Sequence, residues 1–167
     1  MIHYYLSSSS GQPFAKLKAG PGLAASIVTD PDGLPDLTIS ATANLGSAET
    51  DTAVAPGQPL CLLATGHLTL ARADSAATTR IVGLAAAAAA PTTAAQYIEA
   101  GNVTLDDWTA VTGTASLTVG AVYYLSSVTA GQLTPTAPTT GGSYVAAVGT
   151  AIGAQTLNLS VQPTVAL

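Results

Sequence analysis

Charge is what this chain has least of. Asp, Glu, Lys and Arg make up 8% of its 167 residues, where about a quarter is usual. Residues 108–167, sixty in a row, hold none of these and no histidine. General acid–base catalysis, hard-cation coordination and phosphate clamping all draw on such side chains. The C-terminal stretch is therefore expected to work through shape and surface, and no enzymatic activity or cofactor is expected. The only cations are Lys16, Lys18, Arg72 and Arg80. Four scattered cations make no footprint for a phosphate backbone, so no nucleic-acid partner is expected.

Cysteine is nearly absent too. Cys61 stands alone, which excludes an intrachain disulfide and a Cys-based zinc cage. Long apolar runs are missing: the longest, residues 81–90, has ten residues, about half of what a bilayer span needs. The first residues, Met1-Ile-His-Tyr-Tyr5, lack a basic segment followed by an apolar one, so no secretory signal is visible. The expectation is a soluble protein made in a bacterial cytoplasm, with no membrane partner. Disorder is not expected either, because 48% of the residues are apolar. A surface built from Thr, Ser, Asn and Gln is less costly to desolvate than one built from Lys and Glu. Low charge thus points to assembly into something larger.

What the chain does have is an internal two-copy pattern. Gly57-Gln-Pro-Leu-Cys-Leu62 aligns with Gly120-Ala-Val-Tyr-Tyr-Leu125. Thr65-Gly-His-Leu-Thr69 aligns with Ala130-Gly-Gln-Leu-Thr134, and Ile81-Val-Gly-Leu-Ala85 with Ala147-Val-Gly-Thr-Ala151. Each copy reads as a glycine, a strand, a glycine turn, a strand, a loop and a strand with an internal glycine. Two copies are too few for a solenoid. They fit one all-β domain over residues 56–167, a mainly antiparallel β-sandwich or barrel.

Aromatic and β-branched residues mark a strand over residues 121–125. Polar–apolar alternation marks two more, over 116–119 and 156–161. Residues 102–105 and 109–112 bracket Asp106-Asp107-Trp108 as a hairpin. Residues 133–142, rich in Pro, Gly and Thr, read as a loop. The alanines at 85–90 have high helix propensity, but so short a helix is marginal; a strand running into a loop is expected, with a short helix as the alternative. Residues 1–55 read as an N-terminal arm and small β-element: a strand at 2–6, a flexible linker at 7–11, and strands at 25–28 and 37–41 around Pro31-Asp-Gly33.

Candidate chemistry is sparse. Asp30, Asp32 and Asp36 lack the spacing of an EF-hand and read as turn residues. Asp106 and Asp107, adjacent in an extended chain, would face opposite ways and do not form a glycosidase pair. His3 and His67 lack further metal ligands, unless copies meet on a symmetry axis. Cys61 sits in an apolar strand and reads as inert core. Trp108 could stack on a sugar. Tyr4, Tyr5, Phe14, Lys16 and Lys18 form a candidate contact surface for another subunit or a capsid; Tyr4 and Tyr5 equally suit an edge strand.

The run Gly120-Ala-Val-Tyr-Tyr-Leu-Ser126, with Ala130-Gly-Gln-Leu-Thr-Pro135, Val148-Gly-Thr-Ala151 and Val161-Gln-Pro163, resembles tailed-bacteriophage virion proteins. These include capsid decoration (cement) proteins and head- or tail-fibre proteins. The resemblance covers roughly residues 57–167. It implies an all-β homotrimer on the virion's capsid surface, contacting the major capsid protein and stabilising the head, with no catalytic residues. The short length favours cement. The alternative is a fibre or appendage module that binds a host-surface glycan through Trp108 and the loop 134–142.

Overall fold

A computed structural model describes residues 45–167 in full, together with the backbone of residues 23–29 and 35–41. The chain divides into two units, Met1–Ala41 and Thr42–Leu167. In the first, β1 (Leu23–Thr29) and β2 (Pro35–Ala41) pair antiparallel, with Leu23 opposite Ala41 and Thr29 opposite Pro35. The expected strand at 2–6, the linker at 7–11, the Pro31-Asp-Gly33 turn, His3, and the contact residues Tyr4, Tyr5, Phe14, Lys16 and Lys18 lie outside the described residues.

The larger unit begins earlier than residue 56. Its first strand, β3 (Leu45–Glu49), pairs along its whole length with β7 (Ala94–Ile98), which ties it to the second unit. Between these two run β4 (Pro59–Leu62), β5 (Leu68–Leu70) and β6 (Ile81–Ala85). There follow β8 (Gly101–Thr104), a single helical turn α1 (Thr109–Thr112), β9 (Val122–Leu125) and β10 (Leu133–Thr134). The chain ends with β11 (Tyr144–Val145), β12 (Ala147–Ala151), β13 (Thr156–Leu159) and β14 (Val165–Ala166). The fold is all-β and its strand pairs are antiparallel.

Two five-stranded sheets carry the structure, in the orders β3-β7-β6-β4-β5 and β8-β13-β12-β9-β10. Both follow the same path: an outer strand, a hairpin, a return strand beside the hairpin, and a last strand that closes onto the first. They share local irregularities as well. Leu60 stands opposite Gly83 and Cys61 opposite Ile81, so Val82 bulges. Tyr123 stands opposite Gly149 and Tyr124 opposite Ala147, so Val148 bulges. The Gly57 N–H donates to the Ala85 carbonyl at 2.8 Å, and the Gly120 N–H to that of Ala151 at 2.8 Å. A Cβ on Gly83 would lie 2.3 Å from the Ile98 carbonyl oxygen, and one on Gly149 2.3 Å from that of Asn158. Neither strand crossing leaves room for a side chain.

The faces of the two sheets differ in what covers them. In the second sheet Tyr123, Leu125, Ala151, Leu157 and Leu159 are buried on one side, and their neighbours in sequence point to the other. The first sheet is buried on both sides. Leu60, Leu68, Ala85 and Ala95 pack with Val54 on one. Cys61 and Leu84, on the other, join the core of the second sheet together with Trp108 and Val111. Residues 71–73 stitch the sheets together: the Gly131 N–H donates to Ala71, and the Ala73 N–H to Ser126.

The hairpin expected around Asp106-Asp107-Trp108 is not formed. Residues 109–112 are a helical turn because local hydrogen bonds outweigh their β propensity. The Asp107 carboxylate accepts from the Thr109 N–H at 2.8 Å and hydroxyl at 2.6 Å, and the Trp108 carbonyl accepts from the Thr112 N–H at 2.8 Å. Residues 116–119 are not a strand either. They cross the end of the second sheet, burying Leu117, whose N–H donates to Ala154 at 2.8 Å. The strand expected over 156–161 stops at Leu159 and leaves Val161 exposed. After Ala85 the alanine run leaves the strand for a loop, and Ala89 bridges to Val54.

Gly149→Ala forces two strand backbones apart and is expected to cost about 1–3 kcal/mol. Gly141→Ala, with no atom near the added methyl group, should leave stability unchanged. Urea unfolding midpoints of both variants check this; an unshifted midpoint for Gly149→Ala would contradict the close approach.

Candidate functional site

The feature best suited to contact is the outer face of the second sheet. Alternation along four strands places Val122 and Tyr124 of β9, Ala147 and Thr150 of β12, Thr156 and Asn158 of β13, and Asn102 and Thr104 of β8 on that side. Across it runs a row of facing residues: Asn102, Asn158, Thr150 and Val122. The Asn158 side-chain amide donates to the Asn102 side-chain carbonyl at 2.8 Å, and the Thr104 and Thr156 hydroxyls lie 3.0 Å apart. These two pairs lower the number of polar groups that covering the face would strand. None of its residues carries charge.

The first sheet offers an apolar groove of about 630 Å³, lined by Leu62, Leu63, Ala64, Ala76, Ala77, Arg80 and Val82. Leu62 is 44% exposed there. Beyond it, the loop from β5 to β6 is fixed by its own polar contacts. Arg72 pairs with Asp74, and Thr78 donates to Asp74 at 2.9 Å. Hydrogen bonding to the Arg72 guanidinium holds the Asp74 carboxyl below the usual carboxylate range. This carboxylate shapes the loop, as Asp107 shapes α1.

Trp108 is buried in the core, with no accessible surface, and its indole N–H donates to the Gln155 carbonyl at 3.1 Å. Its ring has no open face on which a sugar could stack, which corrects the expectation placed on it. Asp106 and Asp107 sit at the entry to α1. The Asp107 carboxyl is held low by its hydrogen bonds from Thr109, as suits a turn-forming acceptor. Cys61 is fully buried, and burial pushes its thiol up to about 11. Among the described residues no three of His, Cys, Asp and Glu gather as metal ligands. Nor is any described helix long and apolar enough to cross a membrane.

His67 has a partner that the sequence did not reveal. Its Nδ1 lies 2.7 Å from an Asp51 carboxylate oxygen, pinning the β4–β5 hairpin to the chain leaving β3. The polar–apolar alternation of β13 was the one legible signal for the neutral face; β9 and β12 present Val122, Tyr124, Ala147 and Thr150 there without any polar alternation in sequence. The groove had no such signal, since its residues come from three separate loops and strands.

Two outcomes follow from these environments. The hydrogen bond to Asp51 raises the His67 pKa above 6.5. The pair's contribution to stability is then complete below the ordinary value and fades as pH rises through the raised one. An NMR titration should find His67 above 6.5, and Asp51→Asn should bring it back down; an identical titration in both proteins would contradict the pairing. Cys61 should resist an aromatic disulfide reagent at pH 8 in the folded protein and react once urea unfolds it, because only the thiolate attacks. Rapid labelling of the native protein would contradict its burial.

No protein-family model matches this chain, and no curated protein matches it in sequence.

Proposed function

We propose that this protein is a structural component of a bacteriophage virion, a capsid decoration or cement protein that binds the major capsid protein as a homotrimer. The observation that carries the reading is the outer face of the second sheet, which is broad, free of charge and internally hydrogen-bonded. Such a face suits a contact between proteins, because it can be covered without desolvating ions. The charge-free sequence from 108 onward and the likeness of residues 57–167 to virion proteins support it further.

A ligand that binds only the assembled shell stabilises that shell by mass action, by about 2.7 kcal/mol per site at a hundredfold excess over Kd. Three contacts made by one trimer act together, so individually weak contacts suffice for firm attachment. The fibre alternative drew on Trp108 as a sugar platform, and the enclosed indole removes that support.

The test is sedimentation with empty, expanded phage heads through sucrose. Cement binding predicts co-sedimentation that saturates at a fixed ratio to the major capsid protein, together with a raised melting temperature of the heads. Protein that stays in the supernatant at every ratio would refute the reading.

A further inference from the structure

The groove on the first sheet encloses about 630 Å³, a size common among small-molecule sites. One wall is the end of β4 and its hairpin, residues 62–64; the other is the β5–β6 loop, with Ala76, Ala77 and Arg80. Val82 of β6 lines it as well, packed against the cluster of Leu60, Leu68 and Ala85. Both walls are braced from within. The Leu63 N–H donates to the His67 carbonyl at 2.9 Å, and His67 is pinned to Asp51 at 2.7 Å. In the loop, the Arg72 N–H donates to the Thr78 carbonyl at 3.1 Å, and the Thr78 hydroxyl donates back to the Arg72 carbonyl at 2.9 Å. A groove braced in this way needs little ordering when it is filled.

Its chemistry is uneven in a way that specifies a ligand. Six of the seven lining side chains are Leu, Ala or Val and offer nothing to a hydrogen bond. The hydroxyls of the neighbouring loop are engaged within it: Ser75 with Thr78, Thr78 with Asp74, and Thr79 with the Ser75 carbonyl. Arg80 is the one polar side chain in the lining. It is exposed, and among the described residues it has no carboxylate partner. Arg72, by contrast, is already paired with Asp74. A guanidinium holds a planar carboxylate through two parallel N–H donors. A ligand that satisfies both parts of the groove has an apolar body and a single carboxylate at its end. Three lining residues are alanines, so the walls present single methyl groups along which a slender alkyl chain can lie.

We propose that the groove is a binding site for a free aliphatic monocarboxylate of medium chain length, its alkyl chain against residues 62–64, Ala77 and Val82 and its carboxylate paired with Arg80. Charge complementarity argues for this occupant. In a chain of net charge −5 an anion is disfavoured over most of the surface, and Arg80 marks where one is admitted. The site shares no residue with the neutral face of the second sheet, and it stands or falls without the capsid reading.

Methyl NMR on the full chain, during a titration with sodium octanoate kept below micelle formation, tests the site. The methyl signals of Leu62, Ala77 and Val82 should shift and saturate, while those of Val119 and Val128, exposed elsewhere, stay still. Lengthening the acid from hexanoate to octanoate should tighten binding about two- to fourfold for each methylene covered. Arg80→Gln should weaken octanoate binding about tenfold and leave binding of uncharged 1-octanol unchanged. Leu62→Glu, a second variant at an exposed position, sets a carboxylate in the groove and should abolish octanoate binding. Shifts that climb without saturating, equal shifts at Val119 and Val128, or an Arg80→Gln variant that binds octanoate as the wild type does would overturn the proposal. So would groove signals that move with protein concentration alone, because another copy would then fill the site.

Discussion

Everything in the larger unit depends on one apolar contact: Cys61 and Leu84 of the first sheet set among Tyr123, Leu125, Leu157 and Leu159 of the second. The first sheet is thereby covered on both faces, and its strands read as nearly continuous apolar runs, such as Pro59-Leu-Cys-Leu62. Among the described residues the second sheet is covered on one face only, and burial alternates along β9 and β13. With so few ions available, burial of apolar surface at roughly 25 cal/mol per Å² must supply most of the stability. The polar groups serve to place turns. Asp107, Asp74 and Thr50, whose hydroxyl donates to the Leu68 carbonyl at 3.2 Å, all do so.

The close strand approaches at Gly83 and Gly149 follow from the same packing. A bulged valine on each return strand twists it, and the glycine beside the bulge lets the next strand's carbonyl come near. Alanine recurs in the core shared by the two sheets, where Ala71, Ala73, Ala146 and Ala151 are all buried.

Strand cores were the most legible part of the sequence. β9, β6 and β13 were readable because aromatic or alternating residues sat between glycine and loop punctuation. The segments at 109–112 and 116–119 were misread for a specific reason. Thr-Ala-Val-Thr and Ser-Leu-Thr-Val have strand composition, and what bends the first is a carboxylate two residues upstream that composition does not weigh. Trp108 illustrates a second limit. An aromatic between acidic residues and threonines looks exposed in sequence, yet the fold carries it under the second sheet, where the Gln155 carbonyl, 47 residues away, takes its N–H. The neutral face was implicit in the polar alternation of β13, but its meaning required knowing which sheet covers which.

The scarcity of ions has one more consequence, for the medium in which the molecule can work. Dissolved salt acts on proteins largely by screening their charges, and here there is little to screen. A fold and a contact face held by packing and by amide–hydroxyl bonding should tolerate dilute water and brine alike. That indifference would serve the virion role proposed above, in which the molecule has to hold together in whatever water it meets.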